Sequence, residues 1–220
     1  ARLGEELAWR ETRRIKTGLT TARLSSVKTL AGFDFTFQPS LDKSRILALA
    51  DMGFVDRHEV IHLLGPPGTG KSPLAIALGV EAVQAGRTAY FGRLARAERE
   101  ARLRERRRFF CRPSLLIVDE IGYLPVATGG GNLFFQLVNA RYEKGAMILT
   151  SNHGFAEWSD VFGDPVVASA LLDRRLHHAV VVQVEGSSCR LRQHAELVPE
   201  AIRARSLVPP PVTPVPARGP

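Results

Sequence analysis

The 220-residue sequence predicts an α/β domain of three layers, with helices on both faces of a five-stranded, mainly parallel sheet. Three observations predict it. Short apolar runs at 60–64, 88–91, 115–118, 146–150 and 179–184 alternate with segments of helical period, the pattern that builds a parallel sheet. The first run passes through a glycine-rich turn directly into a helix. The third run is apolar throughout and ends on two acids, as a fully buried strand does when it reaches a ligand-binding sheet edge.

Taken in order, residues 1–30 read as a basic helical arm with a short apolar face at Leu3, Leu7 and Trp9. Phe33, Phe35 and Phe37 alternate with Asp34 and Thr36, a period of two that predicts an extended segment laid on the core. Ser40 is placed to cap a helix from Leu41 to Met52. The strand Val60 to Leu64 precedes the turn, and a helix from Lys71 to Ala85 follows it, closed by Gly86. After the second strand, Thr88 to Phe91, the spacing predicts a helix over 94–108 with Glu98–Arg102 and Glu100–Arg104 at i,i+4. The third strand is Leu115 to Val118. A helix over 132–144 leads to the fourth strand, Ala146 to Thr150, and a helix within 164–177 leads to the fifth, Ala179 to Val184. A turn at 185–188 pairs that strand with 189–192. The domain so defined spans 31–198. Residues 199–220 form a Pro-rich tail whose composition predicts disorder or extended chain.

Composition narrows the function classes. The chain is 45% hydrophobic and 24% charged, enough apolar residue for a real core. No apolar run approaches the ~20 residues of a membrane-spanning helix, and Ala1 to Trp9, with two acids, has no apolar stretch of the kind a signal peptide carries. With Cys111 and Cys189 as the only cysteines there is no disulfide framework, and a reducing cytoplasm is the expected compartment. The net charge of +8 is uneven: residues 1–30 carry seven Lys/Arg against three Glu, and residues 93–112 carry nine Arg against three Glu. That asymmetry points to a polyanion, most simply DNA. Arg96, Arg99, Arg102 and Arg106 fall on one helical stripe, readable either as a phosphate-backbone contact or as a solvated face laced with ion pairs.

The chemistry sits in three pieces. Gly65-Pro66-Pro67-Gly68-Thr69-Gly70-Lys71-Ser72 satisfies the phosphate-loop pattern G-x-x-x-x-G-K-[ST]. Its glycines let the backbone aim N–H groups at phosphate oxygens, and the following helix adds its positive end. Lys71 supplies a cation for the β- and γ-phosphates of ATP, and Ser72 a hydroxyl for Mg2+. Pro73 falls in the first helical turn, where a missing N–H is tolerated. Asp119 and Glu120 end the third strand. Asp119 is the expected magnesium partner, and Glu120 is positioned to orient or deprotonate the attacking water. Asn152, just past the fourth strand, is either a γ-phosphate or water contact or a simple turn residue. Together these predict a P-loop ATPase. His177 and His178 lack further ligands nearby and read as packing residues.

These pieces, in this order, have the layout of the AAA+ ATPases, and the wider chain resembles the IstB-like ATPases, helper proteins of insertion-sequence transposition related to the DnaC helicase loader. The resemblance runs over roughly 27–195. It rests on Val27 to Leu30 with Phe33-Asp34-Phe35, Leu64 to Ser72 with Leu74 to Gly79, LLIVDEIGYL at 115–124, NLFFQ at 132–136, Arg141-Tyr142-Glu143, ILTSN at 148–152, Trp158 to Gly163, and Leu172-Asp173-Arg174 with His177-His178. It implies a homo-oligomer assembled with ATP on DNA, expected to be duplex, and the transposase of the same element as partner. It also implies that Arg174 reaches a neighbouring subunit's γ-phosphate as an arginine finger, with Arg175 a second candidate and a solvated ion pair the plain reading. The chain departs from the family pattern in a shortened stretch after the second strand, in Pro73, and in the glycine-rich VATGGG at 126–131.

Three function classes remain open on sequence grounds. The first is an ATP-driven DNA-binding helper of transposition. The second is a helicase loader acting on single strands, disfavoured because the basic segments carry few aromatics for base stacking. The third is a module that binds ATP without hydrolysing it.

Overall fold

The structure is a computed structural model that describes residues 2–24, 28–93, 108–121, 130–142, 144–158 and 179–186. The described residues hold five strands, β1 (Val60–Leu64), β2 (Ala89–Arg93), β3 (Leu115–Ile121), β4 (Ala146–Ser151) and β5 (Ala179–Gln183). Their order across the sheet is β2-β3-β4-β1-β5. All four pairings are parallel, so every strand delivers its C-terminal end to one edge. From β1 the chain crosses to the far strand β2, whereas β4 is followed by β5 on the opposite side of β1. Connections that diverge in this way leave a crevice at the carboxyl ends of the strands between them.

Among the described residues, the sheet is accompanied by helices α1 (Arg2–Thr21), α2 (Lys43–Ala50), α3 (Gly53–Asp56), α4 (Lys71–Gln84) and α5 (Gly130–Arg141). The period of two along each strand divides the apolar residues between two cores. Ile61, Leu63, Leu115, Ile117 and Ile148 face Leu74 and Leu78 of α4 and Ile46 and Leu49 of α2. Val60, Leu116, Val118, Met147 and Leu149 face Phe134, Leu137 and Val138 of α5, with Trp158. This is the three-layer α/β arrangement with a five-stranded parallel sheet that the alternation predicts. Helix α4 sits hard against the sheet because Gly79 has no side chain: a Cβ there would stand 2.7 Å from Ile117 Cδ1.

The N-terminal arm is helical and docked. Gly18 of α1 lies against Val83, Arg14 donates to the Gln84 carbonyl over 3.3 Å, and Ala22, past the helix end, is fully buried. The Ala22 carbonyl accepts the Phe91 N–H at 2.8 Å, which occupies part of the outer edge of β2, the terminal strand among the described residues.

Several local expectations are corrected. Residues Phe35–Phe37 form a 3-10 turn rather than an extended segment, because the Asp34 carboxylate caps it by accepting the Thr36 N–H. Phe33 and Phe35 meet edge to face, with ring centroids 4.9 Å apart. The cap of α2 is Asp42, whose carboxylate accepts from the Ser44 and Arg45 N–H groups, and the helix starts at Lys43. Ser40 instead binds Glu185, its hydroxyl donating to the carbonyl over 2.6 Å. Strand β3 continues through both acids to Ile121, and α5 begins at Gly130 and ends at Arg141. Of the helix expected over 94–108, residues 94–107 lie outside the described residues. The helix within 164–177, the strand at 189–192 and the Pro-rich tail lie outside the described residues.

Candidate nucleotide site

The phosphate loop leaves β1 at Leu64 and is pinned from both sides. Gly65 N–H donates to the Ser151 carbonyl of β4 over 3.2 Å, and Val184 N–H, just past β5, donates to the Leu64 carbonyl over 2.7 Å. Gly65 has φ +149°, and a Cβ there would overlap the Val184 carbonyl, so only glycine lets the loop start between these two strand ends. Gly68 and Gly70 follow at φ +83° and +96°. Thr69 is buried and donates to the Pro66 carbonyl over 2.9 Å. Helix α4 begins directly at Lys71, and the Leu74 N–H closes its first turn on the Gly70 carbonyl at 3.0 Å. Pro73 is accommodated inside that turn, where its missing N–H has no intrahelical partner to lose.

Lys71 is 6% exposed, and its ammonium donates to the carbonyls of Gly65 and Pro66, both at 2.6 Å. Burial lowers its pKa to about 8, and the nearby Asp119 carboxylate opposes that shift. The cation is therefore stored on the loop that it is expected to close over a phosphate.

The two acids reach the same edge from β3. Asp119 is fully buried, and its Oδ1 accepts from Ser72 Oγ at 2.7 Å and from Thr150 Oγ1 at 2.6 Å. Glu120 is half-buried and has φ +62°. A left-handed conformation costs a non-glycine residue roughly 1–2 kcal/mol. The pairing of β3 with β4 slips between Val118 and Ile121, and within that irregularity Glu120 N–H donates to Thr150 Oγ1 over 2.9 Å. Asn152 stands at the same edge, one residue beyond β4, and is half-buried. Arg174, with Asp173, Arg175, His177 and His178, lies outside the described residues, as does the arginine stripe at 96–106.

Thus Gly65 through Ser72, Asp119, Glu120 and Asn152 are gathered at one sheet edge. Sequence reasoning missed Thr150, whose signal was the first hydroxyl after the four apolar residues that open β4. It also missed how segment 33–40 flanks the loop. A Cβ on Gly70 would lie 3.6 Å from the Phe33 ring, and Ser40 and Gln38 adjoin Glu185 and Gly186 at the exit of β5.

The residues fit the groups they are expected to hold. A hydroxyl and a buried carboxylate within hydrogen-bond distance make the hard-oxygen donor pair that suits Mg2+. Positive-φ glycines ahead of a helix N-terminus make a cradle for phosphate oxygens.

A family profile described as IstB-like ATP binding protein matches residues 2–197. The chain belongs to that family. It is 48% identical over 198 residues to the ATP-binding protein of insertion sequence IS21 from Pseudomonas aeruginosa, covering 87% of this chain and 75% of that protein. It is 42% identical over 198 residues to the counterpart in insertion sequence IS5376 from Geobacillus stearothermophilus, covering 87% and 79%. Among solved structures, DnaI superposes with TM-score 0.58 at 19% identity, over 73% of this chain and 89% of that one. The DnaC helicase loader superposes with TM-score 0.52 at 16% identity, over 65% and 90%. AMPPCP-bound DnaA from Aquifex aeolicus gives 0.54 at 19% identity, over 80% and 58%. At such identities the structures speak for the fold alone, the five-stranded parallel α/β sheet of the P-loop type. Among the described residues of this IstB-like chain, no helix is long and apolar enough to cross a membrane and no group of three or more metal-ligating side chains occurs.

Proposed function

We propose that this IstB-like protein is an ATPase that assembles with ATP and Mg2+ on duplex DNA and serves the transposase of its own insertion sequence. The observation that carries the ATPase part is the joining of Ser72, Asp119, Thr150 and Glu120 at the mouth of the glycine loop. The loop N–H groups and Lys71 bind the β- and γ-phosphates, the ammonium exchanging its two carbonyl partners for phosphate oxygens. Ser72 and Asp119 hold the magnesium ion, which when bound offsets phosphate charge. Glu120 orients the attacking water and takes its proton, with Asn152 at the γ-phosphate. Arg174 of a neighbouring subunit stabilises the charge that develops in the transition state. The product pair is ADP and phosphate.

The DNA part rests on charge and kinship. The basic α1 arm and the arginine-rich stretch after β2 supply cations for phosphates. The relatives at 42–48% identity are proteins of insertion sequences, which favours transposition over helicase loading. The test is ATP turnover measured with and without duplex DNA, alongside sizing by light scattering with a non-hydrolysable ATP analogue. Turnover stimulated by duplex and an analogue-dependent oligomer are expected. A monomer that ignores DNA would overturn the assembly, and absent turnover would overturn the enzyme.

A further inference from the structure

We propose that Thr150 is a positioning residue for the water-handling carboxylate: its hydroxyl locks the left-handed backbone of Glu120 to the carboxylate of Asp119. The proposal rests on the reading of Glu120 as the residue that handles water.

The geometry that carries it is a two-sided bridge. Thr150 is 1% exposed on β4. A hydroxyl has one hydrogen to give and lone pairs to accept with. Here the hydrogen goes to Asp119 Oδ1 at 2.6 Å, and a lone pair receives the Glu120 N–H at 2.9 Å. Regular pairing of β3 with β4 holds from Leu115 to Val118 and resumes at Ile121, and the Glu120 N–H is satisfied in between by a side chain on the neighbouring strand. A non-glycine residue at φ +62° persists only where its surroundings over-determine it. Ser72 also donates to Asp119 Oδ1, so the bridge ties the strained residue, the metal-binding carboxylate and the phosphate-loop helix into one network. Bulges of this kind re-aim a side chain. Without the hydroxyl, the left-handed backbone at Glu120 loses its tether and the carboxylate is re-aimed.

Valine matches threonine in shape and lacks both hydrogen-bonding capacities, while serine keeps them. Full-length Thr150→Val and Thr150→Ser are compared with wild type after thermal melts establish that each is folded. In Thr150→Val the Glu120 amide should exchange its hydrogen at least about tenfold faster. ATP turnover (kcat) should fall on the order of 10- to 100-fold, since small misplacements of a reacting group cost that much, with the ATP Kd within about threefold of wild type. Thr150→Ser should restore both exchange and turnover. A valine variant with wild-type amide exchange or wild-type kcat overturns the proposal. So does a parallel loss of Kd and kcat that serine fails to rescue, which would assign Thr150 to packing. A wild-type chain that shows no turnover would remove the hydrolysis reading, and the Glu120 amide exchange would then decide the positioning alone.

Discussion

Ser72 Oγ donates a 2.7 Å hydrogen bond to Asp119 Oδ1, joining the first turn of α4 to β3 across 47 residues of chain. Asp119→Asn keeps the shape of the side chain and removes its charge. The variant is expected to weaken ATP binding in the presence of Mg2+ by about tenfold or more, equivalent to ~1.4 kcal/mol. Adding EDTA should then change the affinity of wild type and leave that of the variant almost unmoved. Calorimetric titration reads this directly, and an equal response of both proteins to EDTA would detach Asp119 from the metal.

Lys71→Ala removes the only side-chain cation of the loop and leaves the Gly65 and Pro66 carbonyls without their 2.6 Å donor. Charge-assisted hydrogen bonds contribute about 1.5–3 kcal/mol. ATP affinity should therefore fall at least roughly tenfold to a hundredfold, and below detection if the loop also collapses. Unchanged affinity in a fluorescence titration would sink the phosphate-loop assignment.

Glu120→Gln keeps the shape of the side chain and the backbone bond to Thr150 while abolishing the base. ATP should bind as in wild type, and turnover should drop by a factor on the order of 10² to 10⁴, the usual worth of a general base. Single-turnover assays with saturating ATP are the check. Equal rates would remove Glu120 from the chemistry.

Arg141 tests the opposite end of the sheet. It is 1% exposed, and its guanidinium donates to the carbonyls of Phe110, Pro113, Ser114 and Ala146 at 2.7–3.3 Å. Arg141→Met leaves those carbonyls short of a donor, an expected loss of ~3 kcal/mol. In a domain of this size that lowers the Tm by roughly 6–12 °C. ATP affinity well below the melting range should be unchanged, because the cluster lies at the starts of β3 and β4 and the nucleotide edge at their ends. A melting curve like that of wild type would show the four bonds to be dispensable.

DNA binding should be steeply salt-dependent. If around 6 phosphates are neutralised, affinity is expected to fall on the order of 10³-fold between 50 and 200 mM salt as condensed counterions are released. It should vary little with sequence and tighten with ATP. Replacing Arg96, Arg99 and Arg102 together by Ala should flatten the slope by about one for each phosphate left without its arginine. A slope indifferent to that triple change would return the stretch to a solvated face.

Much of the fold was legible without coordinates because the cues are local. Strand β1 spans Val60–Leu64 as its apolar run predicts, and α4 starts on Lys71 where the glycine turn ends. Burial imposes the period of two on strands, and phosphate binding imposes the glycines and the lysine, so neighbours in the chain carry the signal. Where two nearby residues compete for one local role, the same cues mislead. Ser40 and Asp42 are both able to cap α2, and the choice fell to Asp42 because the Ser40 hydroxyl is taken by Glu185, 145 residues away.

What sequence alone determined about this protein is an α/β sheet, a glycine-rich loop with the phosphate-loop pattern at Gly65 to Ser72, two acids after a buried apolar run, and a resemblance to the IstB-like ATPases. What only the tertiary structure decided is how those groups are held. It set β4 between β1 and β3, and so brought Thr150 against both Asp119 and Glu120. It pressed Gly65 against Val184, and it gave Arg141 its four carbonyls. The reason is physical. A hydroxyl, a guanidinium or a glycine has the same local propensity whatever it will meet, and its partner is chosen by strand order and packing between segments far apart in the chain.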